Sequence, residues 1–317
     1  MKREVILGID TSNYTTSVAI VGIDGDLIAN IKRPLPVKPG ERGLRQSDAV
    51  FAHVKNIPSA MEEARKYLDG STIVAVGVSE RPRNVDGSYM PCFLSGVAVA
   101  ESVATALNVP IYKFSHQCGH IMAALYSSGR TDLLEKEFCA FHVSGGTTEV
   151  LRVSKSGSAF NAELVGGTAD INAGQLIDRI GVYMGLGFPA GPHIETLALE
   201  NVSKLPSIKL KANDCTVNLS GAENLAVSLY NKTADARLTS AYVLAYVTKA
   251  LTLLAASYEE RFGSTEFVFA GGVMSNSIIK SALSKQFNAS FATPACSADN
   301  AVGIAYLAMR AYNSEKK

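Results

Sequence analysis

The chain contains Gly8-Ile9-Asp10-Thr11-Ser12 followed by Thr15-Thr16-Ser17-Val18, a hairpin pattern that occurs a second time further along. The second copy is His142-Val143-Ser144-Gly145-Gly146 followed by Thr147-Thr148-Glu149-Val150. Each copy has an apolar strand, a small polar turn, a pair of threonines and another apolar strand. A weak repeat about half a chain apart predicts two duplicated α/β halves that face each other across a cleft.

Strands and helices alternate around these two hairpins. Such alternation is typical of an α/β fold rather than an all-β or all-α one. Ser47–Leu68, for example, has apolar residues at helical spacing and ends at Asp69-Gly70. The predicted strands are Val5–Asp10, Ser17–Val21, Leu27–Ile31, Thr72–Val78, Cys139–Ser144, Thr147–Val153 and Phe267–Ala270. The predicted helices are Ser47–Leu68, Pro91–Leu107, Asn172–Met184, Asp235–Phe262, Asn276–Phe287 and Ala298–Tyr312.

The composition is typical of a globular protein with a sizeable hydrophobic core. The 317 residues fit about two domains, and 47% of them are hydrophobic. The net charge of +1 gives no strongly basic footprint, so any nucleic-acid contact must use a local patch or a partner protein. The five cysteines include no C-x-x-C pair, which argues against a disulfide framework or a zinc ribbon and favours a reducing, cytosolic setting.

No segment of the sequence is predicted to enter a membrane. The start, Met1–Gly8, lacks the long apolar core of a signal peptide. The most apolar long stretch, Leu238–Ser257, is interrupted by Lys249 and flanked by charged residues, which favours a buried helix of a soluble domain. We therefore expect a cytoplasmic protein with no membrane contact.

The most informative chemical pattern is His116-Gln117-Cys118-Gly119-His120. Residues four apart lie on the same face of a helix, so the two imidazoles can bind one metal ion. Zinc proteases have this spacing with a glutamate beside the first histidine as general base. Gln117 stands there instead, and it cannot accept a proton near neutral pH. The pattern favours a metal site without protease chemistry; the alternative is two unrelated histidines near a helix start.

Two glycine-rich turns are candidate ligand-binding loops. Ser144–Thr148 joins two strands, and successive N–H groups in such a turn can cradle an anion, although an ordinary hairpin turn has the same pattern. Ala270–Val273 lies between a strand and a helix, where its glycines let a nucleotide approach. Asn276, in the first turn of that helix, can reach a sugar hydroxyl or a base edge. Neither turn is the G-x-G-x-x-G fingerprint of dinucleotide-binding proteins.

Two carboxylates are further candidates. Asp178, on the predicted helix, can accept hydrogen bonds from ribose hydroxyls, with a turn at Gly191 closing over the sugar. The alternative is a pair with Arg179 or a solvated position on the helix surface. Asp299 opens the last predicted helix, where the simplest explanation is a negative charge favoured by the helix dipole.

These pieces, in this order, resemble one family, the ASKHA-fold threonylcarbamoyltransferases, which are called TsaD in bacteria. That family typically has an H-x-x-G-H pair, an S-G-G-x-T hairpin, a G-x-x-F-D-K helix followed by Y-P-G-G-P, an F-S-G strand end, an A-G-G-V-x-x-N turn and a T-D-N helix start. The corresponding stretches of this chain are His116–His120, Ser144–Thr148, Gly174–Arg179, Phe188–Pro192, Leu219–Gly221, Ala270–Asn276 and Ala298–Asn300. No single motif is very specific, but the ordered set is.

The resemblance implies an ASKHA fold with two α/β lobes around a central cleft. The expected lobes are residues 1–115 and residues 116–317, and the last helix is able to pack back on the N-terminal lobe. The resemblance implies that His116, His120 and Asp299 hold one divalent metal ion, iron or zinc. It also implies a bound adenylate, either threonylcarbamoyl-AMP or ATP or ADP. The residues expected around that adenylate are His142, Val143, Ser144, Gly145, Gly146, Asp178, Gly191 and Asn276.

The implied activity is transfer of a threonylcarbamoyl group from its AMP anhydride to the exocyclic amine of the tRNA adenosine next to the anticodon. A cation near the carbamoyl carbonyl would act as a Lewis acid on charge that develops as the amine attacks. Two histidines and one carboxylate leave coordination positions open for substrate. The implied partners are tRNA and other proteins of the threonylcarbamoylation machinery.

The chain departs from the family pattern around the expected cleft. Ser12–Thr15 replaces the usual C-D-E after the first strand, so both carboxylates are missing, and Glu80–Tyr89 replaces a glycine-rich P-G-P loop. Thr147 and Glu149 stand where His and Gln are common, and Gln175 stands where the family has Glu. These changes indicate a divergent paralogue and leave the identity of its donor and acceptor open.

Two alternatives to the tRNA activity follow. One is a carbamoyl-type transfer to a small molecule, because related carbamoyltransferases share this fold and a histidine-rich metal site. The other is a non-catalytic nucleotide-binding partner of a true enzyme, although a scaffold has little use for three retained metal ligands.

The replaced loop contains Arg81 and Arg83. These arginines either bind a phosphate or carboxylate of the substrate or lie in solvent.

Overall fold

The structure is a computed structural model that describes residues 2–12, 14–36, 44–85, 87–157 and 159–316. In chain order, its strands are β1 (Arg3–Ser12), β2 (Thr15–Gly22), β3 (Leu27–Pro34), β4 (Ser71–Arg81), β5 (Ile111–Ser115), β6 (Phe138–Val143), β7 (Thr148–Ser156), β8 (Ala159–Thr168), β9 (Thr216–Val217), β10 (Phe267–Ala270) and β11 (Ala289–Phe291). Its α-helices are α1 (Gln46–Arg65), α2 (Phe93–Leu107), α3 (His116–Ser127), α4 (Ala173–Tyr183), α5 (Gly191–Leu199), α6 (Ser220–Thr233), α7 (Ala236–Phe262), α8 (Ser277–Ser284), α9 (Pro294–Ser297) and α10 (Val302–Glu315). Short 3-10 helices cover Thr131–Glu135 and Gly272–Ser275.

Packing divides the chain into two compact units. Unit 1 consists of Met1–Glu135, Ser154–Ala162 and Ala298–Lys317, and unit 2 of Lys136–Val153 and Glu163–Ser297. This division differs from the expected lobes, residues 1–115 and residues 116–317. The reason is that α3 packs on α10, β4 and β5, so it belongs with unit 1. The last helix, α10, belongs to unit 1 as well.

Unit 1 is built on a five-stranded sheet in the order β3-β2-β1-β4-β5. The first three strands are antiparallel to one another, whereas β4 runs parallel to β1 and β5 runs parallel to β4. Side chains alternate between the two faces of a strand. Val5, Leu7 and Ile9 therefore pack on one face with alanines of α1 and α2, while Ile6 packs on the other face with α10. Asp10, one step beyond Ile9, is on the α10 face.

Unit 2 repeats this arrangement. Its sheet has the order β11-β10-β6-β7-β8-β9, so β8-β7-β6-β10-β11 corresponds to β3-β2-β1-β4-β5 of unit 1. As in unit 1, the strand that opens the hairpin, β6, pairs antiparallel with the next strand and parallel with a later one, β10. The common strand order confirms the duplicated α/β architecture that the repeated hairpin predicts.

The core of unit 2 contains the long apolar helix α7. Its buried residues include Leu244, Val247 and Leu251, which pack with α4, α5 and α8. Among the described helices, α7 has the length and composition to cross a membrane, but 61% of its most apolar window is buried inside the protein. A helix that is covered in this way behaves as a core helix.

The last helix starts later than its sequence predicts. We expected a helix over Ala298–Tyr312, but α10 begins at Val302. The Asn300 Oδ1 accepts a hydrogen bond from the Val302 N–H at 3.0 Å, and the Asn300 amide donates to the Ala298 carbonyl at 2.7 Å. Asn300 thus satisfies a free N–H group at the helix start. As a result, Asp299 lies in a loop before the helix rather than in its first turn.

Candidate metal centre and nucleotide site

The carboxyl ends of three parallel strands, β1, β4 and β5, meet at one edge of the unit 1 sheet. The register between β1 and β4 sets Asp10 beside Ser79. Strand β5 leads directly into α3, whose first residue is His116. Ser115 caps this helix, because its hydroxyl accepts a hydrogen bond from the Cys118 N–H at 3.2 Å. Parallel pairing therefore brings a carboxylate, a hydroxyl and an imidazole to the same edge.

The three side chains predicted as metal ligands lie together in unit 1. His120 Nε2 is 2.9 Å from His116 Nε2 and 3.2 Å from Asp299 Oδ1, and His116 Nε2 is 3.5 Å from that same oxygen. Within the described residues, this is the one group of three or more His, Cys, Asp or Glu side chains whose ligand atoms converge in this way. The His120 side chain is 3% exposed and that of Asp299 is 24% exposed, so the group is reached from the Asp299 side.

This donor set fits a divalent cation. Two imidazole nitrogens and one carboxylate oxygen suit zinc or iron. Two ligand atoms bound about 2.1 Å from one ion lie about 3.0 Å apart at a right angle and about 3.4 Å apart at the tetrahedral angle. The observed separations of 2.9, 3.2 and 3.5 Å lie inside this range or within about 0.1 Å of its limits. The three residues would hold one ion with little movement.

The charges of the group are strongly coupled. Burial favours the neutral ring of His116, but the neighbouring Asp10 and Asp299 carboxylates raise its pKa to about 10. Burial and the adjacent His116 lower the pKa of His120. Burial alone would raise the pKa of Asp299, whereas hydrogen bonds from His116 and His120 hold it well below its ordinary range. In the metal-free protein at neutral pH, His116 is therefore protonated. A cation would have to compete with this proton for the ring nitrogen.

This coupling predicts that the metal-free protein is less stable at alkaline pH. A histidine in the unfolded chain has a pKa of about 6.5, so the stabilisation from His116 is complete below that pH and is lost as the pH rises towards 10. One proton limits the slope to about 1.4 kcal/mol per pH unit. We expect urea unfolding with chelator to show a steeper loss between pH 7 and pH 9 in the wild type than in His116→Gln. Equal slopes would contradict the prediction.

Asp10 belongs to this centre, although it is not one of the ligands predicted from the sequence. It is fully buried, and its Oδ2 is 2.7 Å from His116 Nδ1. Its Oδ1 accepts a hydrogen bond from the Ser79 hydroxyl at 2.7 Å. The signal that identifies it is a carboxylate at the end of the apolar strand β1, because a buried carboxylate requires partners.

In unit 2, the turn between β6 and β7 is held by its own side chains. The Ser144 hydroxyl oxygen accepts hydrogen bonds from the N–H groups of Gly146 and Thr147, at 3.1 Å each, and lies 2.9 Å from Thr147 Oγ1. Thr147 Oγ1 is also 3.3 Å from His142 Nδ1. Two of the N–H groups expected to cradle an anion thus bind the Ser144 hydroxyl instead. The turn presents a polar chain that runs from His142 through Thr147 to Ser144.

Asp178 and Gly191 lie next to this turn. A Cβ atom added to Gly145 would be 4.0 Å from Asp178 Oδ2. The Asp178 Oδ1 accepts a hydrogen bond from the Ala190 N–H at 2.8 Å, immediately before Gly191 at the start of α5. Burial raises the pKa of Asp178, although the Ala190 N–H opposes this shift. The structure therefore brings the turn, Asp178 and Gly191 into one neighbourhood.

The alternative pairing of Asp178 with Arg179 is not observed, because Arg179 binds Glu223 at 2.9 Å.

Other predicted nucleotide contacts have structural roles. Val143 is fully buried in the core of unit 2, so only its backbone can meet a ligand. Asn276 is not in the first turn of α8 but caps it, because its Oδ1 accepts from the N–H groups of Ile278 and Ile279 at 3.1 Å each.

The residues that depart from the family pattern also have local roles. Gln175, which replaces a Glu, accepts a hydrogen bond through its side chain from the N–H of the N-cap residue Asn172 at 3.1 Å, as part of a capping box at the start of α4. The loop after β4 packs on the start of α3, where the Gln117 N–H donates to the Pro82 carbonyl at 3.0 Å. In that loop, the Arg81 side chain is 42% exposed and lies 3.6 Å from the Glu80 carboxylate. Two residues of the altered segments, at positions 13 and 86, lie outside the described residues.

Solved structures that resemble this chain have the ASKHA fold. The activator of 2-hydroxyisocaproyl-CoA dehydratase from Clostridium difficile, with bound ADPNP, aligns over 98% of this chain and 97% of its own, with a TM-score of 0.56 and 16% identity. A ROK family glucokinase from Streptomyces griseus, in complex with glucose and AMPPNP, aligns over 96% and 99%, with a TM-score of 0.54 and 14% identity. These likenesses confirm the predicted fold class.

The sequence also matches a family profile and curated relatives. The profile is that of TsaD, tRNA N6-adenosine threonylcarbamoyltransferase, and it matches residues 36–306. The tRNA N6-adenosine threonylcarbamoyltransferase of Streptococcus suis (strain 05ZYH33) is 30% identical over 329 residues, which cover 99% of this chain and 94% of that protein. The enzyme of the same name from Streptococcus sanguinis (strain SK36) is 29% identical over 330 residues, with the same coverage. The resemblance seen in the motifs is thereby confirmed, and the chain belongs to the TsaD family of transferases.

Proposed function

We propose that this protein transfers a threonylcarbamoyl group from threonylcarbamoyl-AMP to the exocyclic amine of the tRNA adenosine next to the anticodon, and that the transfer depends on a divalent metal ion. The observation that carries the proposal is the convergence of His116, His120 and Asp299 in a chain of this family. A non-catalytic role would not require three ligand atoms so close together at a site that is open on one side.

Each part of the chemistry has residues suited to it. The amine nitrogen attacks the carbamoyl carbon, the bond to the AMP phosphate oxygen breaks, and the amine loses a proton. When bound by His116, His120 and Asp299, a divalent cation supplies Lewis-acid stabilisation of charge on the carbonyl oxygen. Asp178 accepts hydrogen bonds from ribose hydroxyls of the adenylate. The Ser144–Gly146 turn, whose glycines carry no side chain, lets the nucleotide lie close to the backbone.

Partners and setting follow from this activity. The near-neutral net charge of +1 means that tRNA binding relies on local positive charge or on helper proteins. We propose that the protein works in the cytoplasm with other proteins of the threonylcarbamoylation machinery.

A second candidate is carbamoyl-type transfer to a small molecule. The observation that favours it is the altered turn Ser12–Thr15, which lacks both carboxylates of the family pattern. If those carboxylates contact the usual donor or acceptor, their loss changes what the site accepts.

Deleting the gene in a strain that has no other family member distinguishes the two candidates. Mass spectrometry of digested tRNA is expected to show loss of N6-threonylcarbamoyladenosine. Expression of the wild type and of Asp24→Asn, an exposed carboxylate on the β2–β3 turn, should restore it, whereas His120→Ala should not. Unchanged modification in the deletion strain would refute the tRNA activity and favour the small-molecule acceptor.

A further inference from the structure

We propose that Asp10, held in place by Ser79, is the residue that positions His116 for cation binding and thereby sets the metal affinity of the centre. This inference rests on the proposed metal centre and assigns a role to two residues outside the predicted ligand set. Neither residue takes part in the motifs that identify the family in this chain.

The first support is the contact between Asp10 and His116. Asp10 Oδ2 lies 2.7 Å from His116 Nδ1, which is the ring nitrogen that faces away from His120 and Asp299. The other nitrogen, His116 Nε2, is the atom that converges with those two residues. With the Nδ1–H donated to Asp10, the Nε2 lone pair is directed to the cation. Metal-binding histidines commonly have such a carboxylate partner, which fixes their tautomer and orientation.

The second support is that Asp10 itself is fixed. Its Oδ1 accepts a hydrogen bond from the Ser79 hydroxyl at 2.7 Å, so its two carboxylate oxygens have different partners and the group cannot rotate without losing one. The residues sit on neighbouring parallel strands, β1 and β4, which are rigid elements of the sheet. A second hydroxyl, that of Ser17, donates to the Asp10 backbone carbonyl at 3.3 Å.

The third support is burial, which separates this role from direct catalysis. Asp10 and Ser79 are both fully buried. Asp10 therefore cannot touch a substrate, and it acts only through His116. A carboxylate is also expensive to bury unless a charged or hydrogen-bonding partner offsets the loss of water. The presence of a buried carboxylate next to His116 is explained if it orients the imidazole ring.

The test is a metal titration of purified full-length protein. Zn²⁺ affinity is measured by competition with a chromophoric chelator, and the absorption spectrum of the Co²⁺ form reports the ligand geometry. We expect Asp10→Asn to bind Zn²⁺ about 10- to 100-fold more weakly than the wild type and to alter the Co²⁺ spectrum. Ser79→Ala keeps the carboxylate but frees it to rotate, so we expect a smaller loss, up to about 10-fold. The matched control is Asp24→Asn, which makes the same chemical change at an exposed site and should bind like the wild type.

The outcomes separate this inference from the proposed function. Wild-type Zn²⁺ affinity in a folded Asp10→Asn variant would overturn the positioning role and leave the metal centre intact. A wild-type protein that binds neither Zn²⁺ nor Co²⁺ would overturn both. If Asp10→Asn does not fold, Ser79→Ala decides, and unchanged affinity and spectrum in that variant would overturn the inference.

Discussion

Replacing His116 with alanine is expected to weaken Zn²⁺ binding by more than about 100-fold and to abolish transfer with it. Loss of a residue that only supports a ligand already costs about 10- to 100-fold in metal affinity, and His116 is itself one of three predicted ligands. The two remaining atoms, His120 Nε2 and Asp299 Oδ1, lie 3.2 Å apart and form an incomplete set. Equilibrium titration with Zn²⁺ and the transfer assay measure the two effects.

The same substitution should also destabilise the fold, because it leaves Asp10 buried without its charged partner. Removing one member of a buried ion pair costs about 3 kcal/mol or more. His120→Ala removes a predicted ligand too, but it leaves the contact between Asp10 and His116 in place, so we expect a smaller loss of stability, about 1 kcal/mol. Urea unfolding of both variants in chelator compares these costs without any contribution from metal binding.

The two variants thus have similar effects on metal binding and different effects on stability. If His120→Ala lost more stability than His116→Ala, the ion pair between Asp10 and His116 would not support the fold. If either variant kept wild-type Zn²⁺ affinity, the metal centre would have to be built from other residues.

The sequence predicts the elements of this fold well where patterns are local. Strand β10 has the predicted bounds, Phe267–Ala270, and α7 begins one residue after the prediction, at Ala236. Both have strong signals, an apolar run before two glycines and a long apolar stretch after the capping residue Asp235. The ordered motifs likewise identify the family, because each keeps its place along the chain.

What the sequence does not predict depends on contacts between distant segments. Asp10 is recognised as part of the centre only when β1 and β4 are paired in register, which places it beside Ser79 and His116. The packing of α3 against α10, which groups α3 with unit 1, is likewise a contact between distant segments. Helix α10 begins at Val302 rather than at Ala298, and the Asn300 side chain accepts a hydrogen bond from its first N–H group. A local pattern locates the start of a helix less well than the helix itself.

The close approach of α3 and α10 is what allows Asp299 to reach both histidines. A Cβ atom added to Gly303 on α10 would lie 1.8 Å from the Gly119 carbonyl oxygen and 2.7 Å from the Ala123 backbone nitrogen on α3. Both contacts are with backbone atoms, which cannot move aside as a side chain can. Gly119 itself lies between His116 and His120 in the sequence, so this contact is at the level of the predicted metal ligands. The two helices can therefore pack at this distance only with a glycine at position 303.

Gly303→Ala is accordingly expected to lower the free energy of unfolding by about 3 kcal/mol, at the upper end of what overpacking usually costs. Gly119→Ala should cost less, because its Cβ would meet mainly the end of the Ile304 side chain, at 2.9 Å. The control is Gly221→Ala on α6, where nothing lies within 4 Å of the added atom and alanine should be neutral or stabilise by up to about 1 kcal/mol. Thermal and urea unfolding rank the three variants.

Because the added methyl group pushes α3 away from the segment that carries Asp299, Gly303→Ala should also weaken Zn²⁺ binding, and Gly221→Ala should not. A Gly303→Ala variant as stable as Gly221→Ala, with wild-type Zn²⁺ affinity, would mean that the two helices are not in direct backbone contact and that Asp299 reaches the histidines in some other way.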